Sequence, residues 1–227
     1  MNAALTSLIA ASVTFLGTHF ALSHPLRAPL VKVIGAVGFQ IVYSLVALAS
    51  FGWMILAFRA VGPGGVPLWN GSSDALWGIA SLLTLIALTL FLGSLVRNPA
   101  FPAPGTEKLA VLEPHGAFLV TRHPMMWGFA LWGLAHILVS PTPRSLVLAG
   151  AVLFLALIGA HLQDGKKQAL MGEAWGQWES KTSYWPRWVN LAQLGWKLWL
   201  AGLAGWLLAT WAHVWLDYIP AGVWRWL

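Results

Sequence analysis

The sequence predicts an all-α, polytopic membrane helix bundle with about six transmembrane spans, and three observations carry that prediction. Of the 227 residues, 58% are hydrophobic and 9% charged, whereas a water-soluble domain carries roughly 25% charged residues. So few charges cannot cover a water-facing surface, so lipid must supply much of the solvent. Apolar runs long enough to cross a hydrocarbon core of about 30 Å recur along the chain. The basic residues, finally, are confined to alternate connections between those runs.

The runs fall at roughly 3–23, 33–58, 75–96, 117–139, 145–163 and 194–217. The first has no Lys or Arg before it and no small-residue cleavage signal, which reads as a retained span rather than a signal peptide. The second is interrupted by Gly52, and the fourth is punctuated by Arg122-His123-Pro124. A five-span arrangement with one half-buried segment is the competing count. Pro/Gly-rich connectors occur at Gly62–Pro67 and Asn98–Gly105. The length suits one bundle, so residues 1–227 read as a single integral membrane domain. Many of the 16 tryptophans lie near expected helix ends, where an indole meets both lipid and headgroups.

Connections after the first, third and fifth runs hold Arg27, Lys32, Arg97, Lys108, Arg122, Lys166, Lys167, Lys181, Arg187 and Lys197. The opposite side holds only Arg59, Arg144 and Arg225. Ten against three predicts an inner-membrane protein with both termini on the non-cytoplasmic side and residues 164–193 in the cytoplasm. Within that stretch Ala169, Leu170, Ala174, Trp175 and Trp178 recur at helical spacing, predicting an amphipathic helix on the inner membrane surface. Tyr184-Trp185-Pro186-Arg187-Trp188 would end it. The net charge of +6 resides in these connections and is no nucleic-acid signature. The absence of cysteine excludes disulfides, iron–sulfur clusters and thiolate-ligated haem.

Ionisable groups at membrane depth are costly and therefore functional candidates. Here they are His19, His136 and His161 within runs, with His24, His123, Asp164 and His213 at or near run ends. Two imidazoles on separate helices are a common haem clamp. The bland alternative for each is a histidine bonded to a backbone carbonyl, and His115 and His213 read that way. On a 3.6-residue helix Met125, Phe129, Trp132 and Gly133 share the face of His136. Such a face would form a flat apolar slot suited to a porphyrin, or simply pack against another helix with glycine permitting close approach. Pro124 suits a first helical turn. Arg122 could meet a propionate or phosphate, or snorkel to headgroups.

The stretch Gly116-Ala-Phe-Leu-Val-Thr-Arg-His-Pro-Met-Met-Trp-Gly, continuing to Leu131-Trp-Gly-Leu-Ala-His136, resembles the NnrU-like membrane proteins, and within them the zeta-carotene isomerase branch. The likeness extends through Asp164, Gly172-Glu173-Ala174 and Lys181-Thr182-Ser183, and is supported by Gly17-Thr18-His19, Arg27, Gly35 and Tyr43-Ser44-Leu45. The resemblance implies haem b held by His19 and His136, with His123 supporting or catalytic. Arg122, Met125, Phe129, Trp132, Gly133 and Asp164 would then border the cofactor. It implies isomerisation of the central cis double bond of a carotenoid-like polyene, a lipophilic substrate entering from the bilayer. The isomerase branch has a cysteine where this chain has Gly133, so a thiol ligand switch is unavailable here. By depth, His136 lies about 20 Å along its helix from Arg122, while His19 is near the inner end of its span. His24 and His123 are therefore the alternative ligands.

Two other functions fit the same residues. One is an NnrU-type haem protein of electron transfer or nitrogen-oxide metabolism. The other is an S-adenosylmethionine-dependent membrane methyltransferase, since isoprenylcysteine and phospholipid methyltransferases also carry Arg-His-Pro near a late span. Against the latter, the expected acidic pair is reduced to Asp164, with Glu173 nine residues on.

Overall fold

A computed structural model describes residues 2–63, 65–103 and 105–227; Gly64 and Pro104, one in each Pro/Gly-rich connector, lie outside the described residues. Among these residues there is no strand. Five helices are long and apolar enough to cross a membrane: α1 (Ala3–Ser23), α2 (Arg27–Val61), α3 (Asp74–Gly93), α6 (Pro143–Met171) and α8 (Trp196–Asp217). The short α4 (Thr106–Ala110) and α7 (Glu173–Lys181) lie at the basic end. The remaining apolar helix, α5 (Pro124–Val139), has only 16 residues, or about 24 Å. Among the described residues the expected set of about six apolar segments is thus five long helices and a short one.

Local chemistry sets most boundaries. The Asn2 side chain accepts from the Ala4 N–H, and the Ser73 hydroxyl from the Leu76 N–H, capping α1 and α3. Pro124 and Pro143 open α5 and α6. Thus α5 starts after Arg122-His123, seven residues later than the apolar run suggested. The preceding residues form a single 3₁₀ turn at Gly116–Leu119, and Phe118, Val120 and Thr121 are fully buried. Non-helical backbone near membrane depth needs internal partners, and here it has them. Arg122 N–H donates to Ser183 O at 2.8 Å and Arg187 N–H to Val120 O at 2.8 Å.

Three expectations change. Gly52 lies inside continuous helix, and the break in α2 is at Gly35, whose φ of 72° only glycine adopts readily. The helix expected to end at 163 runs on as α6 to Met171 and stops at Gly172, with φ 54°. The amphipathic helix is present as α7, but its apolar face is not laid on a membrane surface. Trp175 and Trp178 are buried in a cluster with Ala100, Ala110 and Phe118. Trp178→Ala is expected to cost about 3–5 kcal/mol, measured as a drop in thermal midpoint of the detergent-solubilised chain.

The helices neighbour one another in the order α8, α3, α5, α6, α1, α2. Glycines let α5 approach both neighbours. A Cβ on Gly128 would stand 2.7 Å from Ala87 O of α3, and one on Gly133 would stand 2.9 Å from Ala149 O of α6. Gly128→Ala is therefore expected to lower stability by about 1–3 kcal/mol. Gly17→Ala, which meets nothing within 4 Å, should raise it slightly through helix propensity. A thermal-shift assay on both variants checks this pair.

Candidate functional site

Chemistry-bearing side chains gather in two places. The first is the basic end, where Arg122 and His123 precede α5 and Asp164 lies in the last two turns of α6. Asp164 accepts from Arg122 Nε at 2.9 Å, from Arg122 Nη2 at 2.6 Å and from His123 Nε2 at 2.8 Å. Arg122 Nη2 also lies 3.5 Å from Glu179 of α7. This is a buried, fork-shaped ion pair with a histidine on its second oxygen. The Arg122 and Asp164 side chains are 13% and 12% exposed, and the His123 residue 3%.

The segment after α7 closes over this cluster. Thr121 Oγ1 donates to Tyr184 O at 2.8 Å, Trp127 Nε1 to the same oxygen at 2.9 Å, and Tyr184 Oη to Leu157 O at 2.8 Å. Burial, reinforced by the Asp164 carboxylate, pushes the Tyr184 phenol above its usual range, so it stays a neutral donor. An open cleft of about 890 Å³ adjoins, lined among others by His24, Arg122, His161, Asp164, Lys166 and Tyr184.

The second place is the face of α5 that carries His136. His136 Nδ1 donates to Trp132 O at 2.8 Å, because a carbonyl can only accept, and its ring lies over Trp132 at 4.1 Å between centroids. Phe129 is 40% exposed and its ring lies tilted against Phe91 at 5.6 Å, while Met125 and Trp132 are half-buried. Gly133 is excluded from this slot, being pressed against α6. His19 Nδ1 likewise donates to Phe15 O at 2.8 Å, but its ring packs against Phe15 and Tyr43 of α2.

His19 and His136 stand at different depths along the bundle. Phe20 meets Phe154 of α6, and Gly133 meets α6 between Ala149 and Leu153, which places His19 level with about residue 131 of α5. That is roughly 8 Å nearer the basic end than His136. The depth alternatives fare differently. His123 is committed to Asp164, whereas His24 lines the basic-end cleft with His161.

The donor chemistry suits haem at His136. A Nδ1–H bonded to a carbonyl fixes the tautomer and leaves the Nε2 lone pair for a metal. Arg122 suits a propionate poorly, since two of its nitrogens already serve Asp164 and one approaches Glu179. Among the described residues no group of three or more His, Cys, Asp or Glu is arranged to hold a bare metal ion. The sequence could not expose Glu179 or Tyr184 as partners of this centre. Neither stands at a recognisable spacing from Arg122, and the Tyr184-Trp185-Pro186 run signalled only a helix end.

No curated protein and no solved structure matches the chain. A family model described as NnrU protein matches residues 7–221, nearly the whole bundle from α1 to beyond α8, and the chain belongs to the NnrU family.

Proposed function

We propose that the protein binds haem b within the bundle and isomerises a cis double bond of a lipophilic, carotenoid-like polyene. The observation that carries this reading is His136. Its Nδ1–H is held by Trp132 O, its Nε2 is left as a donor, and its helix face presents Met125, Phe129 and Trp132. Bound haem would supply a redox-active iron able to draw electron density from a double bond. The residues supply the rest. Trp132 O orients the His136 imidazole. Phe129 and Trp132 offer flat apolar surface to a polyene arriving laterally from lipid. Arg122, His123 and Asp164 anchor the first turn of α5 and so fix the height of His136; His123 is a positioning residue in this account. The resemblance to the zeta-carotene isomerase branch supports the choice of substrate class.

Incubating the dithionite-reduced, haem-loaded protein with a cis-carotene, followed by chromatographic separation of isomers, tests the activity. The trans isomer should accumulate with the reduced protein and not with the oxidised one. A haem-loaded protein that leaves the cis isomer unchanged in both states would overturn the isomerase reading and favour an electron-transfer or nitrogen-oxide role.

A further inference from the structure

His213 lies on α8, four residues from the C-terminal end of the helix. Its ring centroid is 6.3 Å from that of His136, with the ring planes inclined by 39°. Its Nδ1 is 2.9 Å from Ala209 O and donates to it, which leaves Nε2 for a partner outside its own helix. In both rings Nδ1 is thus taken by a backbone carbonyl and Nε2 is the nitrogen left to a ligand.

The spacing of the rings matches that of two imidazoles on one metal. Two metal–imidazole bonds of about 2 Å each, plus half a ring on either side, separate centroids by about 6 Å. Helices α5 and α8 each pack on α3. The ring contacts of His19 are with Phe15 and Tyr43 instead.

We infer that His136 and His213 form the axial pair of the haem, between α5 and α8, and that His19 is outside the iron's coordination shell. This rests on the haem reading above. Electron paramagnetic resonance of the ferric full-length protein, purified in detergent and loaded with haemin, tests it in wild type and in His213→Gly and His19→Ala. Wild type and His19→Ala should give the low-spin signal of bis-imidazole iron. His213→Gly should keep haem but lose that signal for a high-spin one, and added free imidazole should restore the low-spin form. Imidazole rescue also separates ligand loss from misfolding. A low-spin His213→Gly protein, or a high-spin His19→Ala protein, overturns the pairing while leaving haem binding intact. A wild-type chain that takes up no haemin overturns both.

Discussion

Replacing Asp164 with alanine is expected to cost about 3–5 kcal/mol, because it leaves a buried guanidinium without its carboxylate. Arg122 would lose its bidentate partner and His123 the acceptor of its Nε2, leaving Glu179 at 3.5 Å as the remaining acid near Arg122. The loss reaches further than the ion pair. Arg122 and Thr121 carry the backbone and hydroxyl bonds that tie Ser183 and Tyr184 across the start of α5. The expected result is a large fall in thermal midpoint in detergent, with proteolysis appearing first around residues 172–190. Asp164→Asn, which can still accept, should lose less. Joint replacement of Arg122 by Met and Asp164 by Leu should recover much of the loss, since removing both charges removes the desolvation problem. An Asp164→Ala protein within about 0.5 kcal/mol of wild type, the range of an ordinary surface change, would mean the cluster is not structural.

His136→Ala is expected to abolish haem binding without a comparable loss of fold. The ring is half-buried, and its one hydrogen bond is to its own preceding turn. Its ring neighbours are Trp132 on the same helix and His213 of α8. Trp132, four residues earlier, packs against two hydrophobic clusters and keeps the local packing. Haem occupancy per chain, with size-exclusion chromatography as the control for folding, checks this. A His136→Ala protein that retains wild-type haem content would contradict the assignment.

The bundle itself was legible because its cause is compositional: too few charges for a water-facing surface, and basic residues on alternate connections. Pro124 as the start of α5 and the helical spacing of Trp175 and Trp178 were legible for local reasons, and both features are present. The errors are tertiary in origin. Gly35 and Gly52 are equivalent in a hydropathy profile, and only the chain path makes Gly35 the residue with positive φ. Trp175 and Trp178 fit a membrane-lying helix equally well until Phe118 and Ala110 are placed over them. Gly133 shares a face with His136 by periodicity, yet α6 closes on it. The proximity of His136 to His213 spans 77 positions and carries no local signal. His213, near a helix end, reads as interfacial until α8 is laid beside α3.

The most direct test of the central claim is the absorption spectrum of the purified wild-type chain, ferric and dithionite-reduced, with haem quantified as the pyridine haemochrome. The account predicts a Soret band, a sharpened visible band on reduction typical of six-coordinate b-type haem, and about one haem per chain. A folded protein that is colourless and takes up no added haemin would contradict it.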